Sequence, residues 1–244
     1  MNKDPVIAGR HPVLDALQAG VPLDKILLQQ GVRGPFEKEL RAACRRRRIP
    51  LQVVPKQRLA RYFAGNHQGV IAIGTAVRYQ SVDELLPALY ERGVTPKVVL
   101  LDGITDVRNF GAIARSAETF GFHAIVKSMT GAPANAIAVK ASAGALLRIP
   151  VCREKTTASA IRALKENGLE VIAMDARAET PVCAIDWQRP LAVVLGAEGK
   201  GIGAAVRKEA DLLCAIPQAG TMDSLNVSVA AGIIFYESVR GTCA

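Results

Sequence analysis

Leu191-Ala192-Val193-Val194-Leu195 runs straight into Gly196-Ala197-Glu198-Gly199-Lys200-Gly201-Ile202-Gly203, an apolar pentapeptide followed by a glycine-rich polar loop. A run this short, rich in Val and Leu and closed by Gly, reads as a strand buried on both faces. Two more runs have the same form, Lys97 to Leu101 ending at Asp102 and Leu212 to Ile216 ending at Pro217. Strands are also expected at 124–127 and 169–174, and helices at 109–120, 134–143, 157–167, 204–209 and 225–239. Strands and helices in alternation predict an α/β fold with a mostly parallel sheet. Ligands of open parallel sheets gather beyond the carboxyl ends of the strands. The three polar motifs that follow these runs, Asn109-Phe110-Gly111 with Arg115, the Gly196 loop and Ser224 to Ser228, are therefore candidates for a single site.

Upstream, helices near 11–18, 35–47 and 56–62 alternate with strands at 25–28, 51–54 and 70–77, which predicts a separate, compact α/β unit. Ser81 to Arg92 reads as a short helix with Ser81 as its N-cap, and Gly93 to Pro96 supplies breakers. The expected division is a small domain over 1–78, a linker over 79–93 and a larger domain over 94–244.

Charge separates the same two regions. The chain of 244 residues carries a net charge of +9, yet residues 1–80 hold fourteen Lys or Arg against five Asp or Glu, whereas residues 81–244 hold seventeen of each. An amino-terminal module that approaches a polyanion, joined to an electrostatically balanced module, fits this asymmetry. Its densest part is Arg45-Arg46-Arg47-Arg48, with Arg41 on the same helix. A solvated face is the competing reading of that run. At 5% aromatic content, an extended base-stacking platform is not indicated.

Cys44, Cys152, Cys183, Cys214 and Cys243 are widely separated, with no C-x-x-C pair, so neither a zinc site nor a disulfide framework is expected and the setting is a reducing cytoplasm. Met1 to Arg10 has no apolar core of a signal peptide, and no run approaches the roughly 18 apolar residues of a membrane span. Neither export nor a membrane partner is expected.

Each polar motif also has an ordinary structural reading. Asn109 suits a helix N-cap and Arg115 a surface position, although a helix start offers N–H groups to an anion and an Arg further along can hold a phosphate in a bidentate fork. Gly196 to Gly203 fits neither G-x-G-x-x-G nor G-x-x-x-x-G-K-[ST], so a dinucleotide or P-loop reading is weak. Ser224 stands before Leu225, Val229 and Ile233 as the N-cap of an amphipathic helix would.

Taken together, Asn109-Phe110-Gly111 with Arg115, the Gly196 loop, and Ser224-Leu225-Asn226-Val227-Ser228 resemble the three signature motifs of the SpoU family of RNA ribose 2'-O-methyltransferases, part of the SPOUT superfamily, over roughly Val94 to Arg240. The resemblance implies a parallel-sheet methyltransferase domain with a trefoil knot near its carboxyl end, S-adenosylmethionine as cofactor, no metal, and a homodimer with active sites near the two-fold interface. It further implies that Leu195, Gly196, Ala197, Ile216 and Leu225 hold the cofactor. Arg115 is then the proposed catalytic residue, Asn109 orders the site, Glu198 is a functional carboxylate, and Ser224 and Asn226 are linked to catalysis. One departure is visible: Asp106 is followed by Val107, where family members often have Pro.

Val6 to Gly20 and Asn66-His67-Gln68-Gly69-Val70 resemble the family's small, ribosomal-protein-like substrate-binding domain, which adds Arg10, His11 and His67 to Arg41 and Arg45 to Arg48 as candidates for RNA contact. A buried or capping role is the competing reading of His11. The closest resemblance is to the bacterial subgroup that modifies a guanosine in 23S ribosomal RNA. Transfer RNA is the alternative substrate. A non-catalytic RNA-binding protein of ribosome assembly is the alternative of another class, disfavoured by intact Asn109, Arg115, Glu198 and Asn226.

Overall fold

A computed structural model of the chain describes residues 4–222 and 224–240. It divides into two compact units, one running through Arg78 with the short insert Ala134–Ala136, the other taking the remainder.

The smaller unit contains β1 (Val6–Ala8), α1 (Arg10–Gln18), β2 (Leu23–Gln29), α2 (Pro35–Arg46), β3 (Leu51–Val54), α3 (Lys56–Ala60) and β4 (Val70–Gly74). Its sheet has the order β1-β4-β2-β3, antiparallel except for the pair β2–β3. Alternation sends Ile26 and Leu28 of β2 into one cluster with Val13, Leu17, Leu40 and Cys44, while Leu27 joins Val54, Leu59 and Ile71 in another. Each large aliphatic side chain so buried contributes about 1.5–3 kcal/mol. α2 buries Leu40, Ala43 and Cys44; Arg45 and Arg46 in its last turn and Arg47 and Arg48 just beyond it are exposed. β4 stops at Gly74, short of the strand expected through 77, because the Thr75 hydroxyl accepts the N–H of Val77 (3.1 Å) and turns the chain.

The larger unit comprises β5 (Tyr79–Gln80), α4 (Val82–Glu91), β6 (Lys97–Asp102), α5 (Val107–Thr119), β7 (Ala124–Ser128), α6 (Ala136–Ala141), β8 (Val151–Glu154), α7 (Thr157–Glu166), β9 (Glu170–Met174), β10 (Thr180–Pro181), β11 (Leu191–Gly196), α8 (Ala204–Glu209), β12 (Leu212–Ala215) and α9 (Val227–Arg240). Its eight strands lie in the order β10-β12-β9-β11-β6-β7-β8-β5, and every pairing is parallel. Helices on the sheet faces explain the unbroken apolar runs: Val98, Leu100, Val126, Val171 and Val194 share a core with Leu86, Ile161 and Leu164. The chain first steps outward through β6, β7 and β8, then crosses to β9, and only afterwards inserts β11 between β9 and β6. That reversal opens a crevice at the carboxyl ends of β9, β11 and β12.

Residues 79–93, expected as a linker, are instead integral to this unit. β5 pairs with β8, and α4 buries Val82, Leu85, Leu86 and Leu89. The Glu84 carboxylate accepts the N–H of Ser81 at 3.0 Å to fix the helix start. The helix was legible, but the apolar face that binds it into the core decides that it is not a spacer. Two further boundaries shift for a local reason. α5 begins at Val107 because Asp106 is its N-cap, and α9 begins at Val227 because Asn226 takes the capping role that Ser224 was expected to fill.

Candidate active site

The Gly196 loop is built by glycine. Gly199 and Gly201 adopt φ of 72° and 65°, and the N–H of Gly201 returns to the carbonyl of Ala197 at 2.8 Å. The loop then folds so tightly over the end of β11 that a Cβ on Gly196 would stand 2.2 Å from the carbonyl carbon of Gly201. Asp102, the last residue of β6 and register partner of Gly196, ties the loop down. Its Oδ2 accepts the N–H of Gly203 and its Oδ1 the hydroxyl of Thr157, each at 2.8 Å.

Asp106 organises the neighbouring helix. Its Oδ1 accepts the N–H groups of Arg108 (2.7 Å) and Asn109 (2.9 Å), and these bonds hold its carboxyl below the usual carboxylate range. Asn109 is thus in the first turn of α5 and not its cap, which frees its amide for contacts across the site. At the start of α9, the Asn226 Oδ1 accepts from Ser228 N (2.9 Å), Ser228 Oγ (2.6 Å) and Val229 N (3.3 Å).

These caps aim two amides at one carboxylate. Asn109 Nδ2 donates to Glu198 Oε2 at 3.4 Å, Asn226 Nδ2 donates to Glu198 Oε1 in a short hydrogen bond, and Asn226 Nδ2 also reaches Asn109 Oδ1 at 3.3 Å. Residues 109, 198 and 226, far apart in sequence, close a triangle in which each motif contributes one corner. Beside it lies a cleft of about 580 Å³. Leu195, Gly196, Ala197, Glu198, Ile216, Ser224 and Leu225 line it, so every residue expected to hold a cofactor faces one cavity. Apolar side chains from β11 and α9 with a rim of polar groups suit a nucleoside-sized ligand.

Residues 96–236 match the model of the SpoU rRNA methylase family, and residues 6–80 match that of the RNA 2'-O ribose methyltransferase substrate-binding domain. The chain belongs to the SpoU methylase family. Its relatives include the Bacillus subtilis protein YacO, named as a TrmH-family tRNA/rRNA methyltransferase and 36% identical over 236 residues, which are 96% of this chain and 94% of that protein. Among solved structures, the AdoMet-bound rRNA methyltransferase from Sinorhizobium meliloti is 25% identical with a TM-score of 0.58, covering 99% of this chain and 89% of that one. The SpoU methyltransferase AviRb from Streptomyces viridochromogenes, crystallised with AdoMet, shares the fold at 24% identity and a TM-score of 0.59 over 98% of this chain and 91% of its own.

The remaining SpoU-motif residue stands apart. Arg115, two turns along α5 from Asn109, is exposed and does not line the cleft. In the smaller unit, Arg10 lies over the Phe36 ring at 5.0 Å and donates from Nε to the Gln68 carbonyl at 3.3 Å, while His11 is exposed. His67 is buried, its Nδ1 accepting the N–H of Gly69 at 3.0 Å to shape the turn into β4. Arg41 pairs with Glu37 at 2.9 Å, and Arg47 Nη1 donates to the Leu17 carbonyl at 3.2 Å. Among the described residues no group of three or more His, Cys, Asp or Glu is arranged to hold a metal, and no helix is long and apolar enough to cross a membrane.

Sequence reasoning missed Asp102 and Asp106, which anchor the loop and the helix of the site, and Asp175, which lines the cleft. Asp102 and Asp175 each sit at the carboxyl end of an apolar run, a position that was already a signal. Asp106 was noted only for the residue that follows it.

Proposed function

We propose that this protein transfers a methyl group from S-adenosylmethionine to the ribose 2'-hydroxyl of a guanosine in 23S ribosomal RNA, acting in the cytoplasm as a homodimer. The observation that carries the chemistry is the triangle of Asn109, Glu198 and Asn226 on the rim of a nucleoside-sized cleft. The cleft fits the cofactor on its own terms, because Leu195, Ile216 and Leu225 give it apolar walls while Glu198, Gln218 and Ser224 give it polar groups, the mixture a nucleoside with an amino-acid tail requires. Leu195, Ile216 and Leu225 would hold the adenosine and methionine parts. When bound, the cofactor supplies a methyl group on a sulfonium.

The rest falls to the chain. Glu198, held through both oxygens by amide donors, fixes the rim of the reaction site, and Asn109 and Asn226 hold it there. In-line attack gains chiefly from such positioning. An Arg keeps its proton at any physiological pH, so Arg115 is not the base but grips an RNA phosphate, and the 2'-hydroxyl proton passes to that phosphate, to solvent or to the Glu198 carboxylate.

Ribosomal RNA as substrate is supported by the match to the SpoU rRNA methylase family and by the name of the Sinorhizobium protein. Transfer RNA is the second reading, favoured by the tRNA/rRNA naming of YacO. The homodimer is supported by Val229, Ile233 and Tyr236, which leave one face of α9 apolar and 36–52% exposed.

Mapping of 2'-O-methyl groups on 23S rRNA and tRNA from cells with and without the protein tests the reading. One guanosine in 23S rRNA should lose its methyl group. Loss confined to tRNA selects the second reading, and an unchanged map of both RNAs overturns the activity. Light scattering at micromolar concentration should give a dimer; a monomer removes the two-fold assembly.

A further inference from the structure

Among the described residues two carboxylates line the cleft, Glu198 and Asp175, and they are committed differently. Both Glu198 oxygens are taken by Asn109 and Asn226. Asp175 follows β9, the strand between β11 and β12, so it enters the crevice from the middle of the sheet edge. Its backbone is fixed by an N–H bond to the Cys214 carbonyl, and its carbonyl accepts the N–H of Ala178, both at 2.9 Å. Of the side-chain oxygens, Oδ1 accepts the N–H of Arg177 at 3.1 Å and Oδ2 pairs with Nη1 of Arg207 from α8.

The side chain of Asp175 is only 8% exposed, whereas that of Arg207 is 45% exposed. A carboxylate this buried is tolerated because a guanidinium compensates it. It is also not saturated. An ionised carboxylate offers about four acceptor positions; Oδ2 is fully buried against Arg207, while Arg177 engages only one position on Oδ1, which is the oxygen left for a ligand. The nucleoside part of the proposed cofactor carries a pair of adjacent ribose hydroxyls that need acceptors when buried, and an acidic residue just past a parallel strand suits that task.

We infer that Asp175 binds the ribose hydroxyls of the nucleoside in this cleft, and that Arg207 is the positioning residue that holds its carboxylate in place. This assignment rests on the S-adenosylmethionine reading above and adds to it a side chain that discriminates ribose from deoxyribose in the cofactor.

Calorimetry of the full chain with S-adenosylhomocysteine and with its 2'-deoxy and 3'-deoxy ribose analogues tests it, on the wild type and on Asp175→Asn and Asp175→Ala. The wild type should bind at least one deoxy analogue about 10- to 100-fold more weakly than S-adenosylhomocysteine, the loss expected when a hydrogen bond to a charged group disappears. The variants should weaken S-adenosylhomocysteine by a similar factor and show no further loss for that analogue. Variants that weaken all three ligands equally would make Asp175 a structural residue, and the ribose assignment would be overturned. Equal wild-type affinity for all three ligands overturns it as well, even if neither variant folds. Wild-type protein that binds none of the three instead overturns the cofactor reading itself, an outcome distinct from binding without discrimination.

Discussion

Glu198 shows how one residue can depend on two helix starts. Asn226 spends its oxygen on capping α9 and its nitrogen on Glu198, so a single side chain carries both helix stability and site geometry. Asn226→Ala should lower stability by about 1 kcal/mol, the typical worth of a cap, and single-turnover methylation by about 100-fold through misplacement of Glu198. Asn226→Asp should keep the cap, yet lose turnover as severely because it sets a second carboxylate against Glu198. Denaturant melts and single-turnover rates measure the two effects separately; full activity in the Ala variant would mean the triangle is not required. Arg115 is expected to behave oppositely. Exposed and outside the cleft, it should leave S-adenosylmethionine affinity within a few-fold when replaced by Ala, while turnover on RNA collapses. Lys should restore little, because an ammonium keeps the charge without the planar fork. Wild-type single-turnover rates for Arg115→Ala would end its catalytic assignment.

At the scale of elements, the site depends on two loops and the helices they start. The Asp106 carboxyl is held low first by its bond from Asn109 N–H and then by that from Arg108. A depressed carboxylate contributes stability that is complete above the ordinary Asp pKa of about 3.9 and is lost as pH falls through its lowered value. Asp106→Ala should therefore melt below the wild type at neutral pH, and the gap should close in acid. A gap independent of pH would show that the cap acts by something other than its charge. The Gly196 loop is constrained by packing instead. Gly196→Ala places a Cβ against the Gly201 and Ile202 backbone, which cannot yield as a side chain can, so the loop must open. About 1–3 kcal/mol of strain is expected, together with cofactor binding weakened about tenfold or more in calorimetry. Unchanged affinity would mean that the loop conformation does not matter to the ligand. Gly111 has a comparable constraint inside α5. A Cβ there would come within 2.6 Å of the Ala138 carbonyl, so the small residue of the first motif is needed for packing.

The charge asymmetry belongs to the whole molecule. Residues 1–80 hold the entire positive excess, and Arg45, Arg46 and Arg48 are exposed at the end of α2. Replacing these three by Gln should weaken RNA binding and flatten the slope of log affinity against log salt by about two to three units, since each phosphate contact contributes roughly 0.7–0.9. Filter binding across a salt series measures it. An unchanged slope would move the RNA surface elsewhere.

Much of this was legible in the chain. Runs such as Leu191 to Leu195 declared a buried parallel sheet because strands covered on both faces need no polar alternation, and glycine-rich or capping residues after them marked the ligand edge. The segregation of charge along the chain likewise required no coordinates. Local patterns did not reveal that 79–93 is part of the core, that Asp106 and Asn226 are the caps, or that β11 enters the sheet late. Strand order and side-chain capture depend on contacts between residues remote in sequence, which no window of periodicity samples. The triangle of residues 109, 198 and 226 and the pairing of Asp175 with Arg207 are therefore products of the tertiary fold. Sequence set the residue types available at each strand end; the strand order decided which ends would meet.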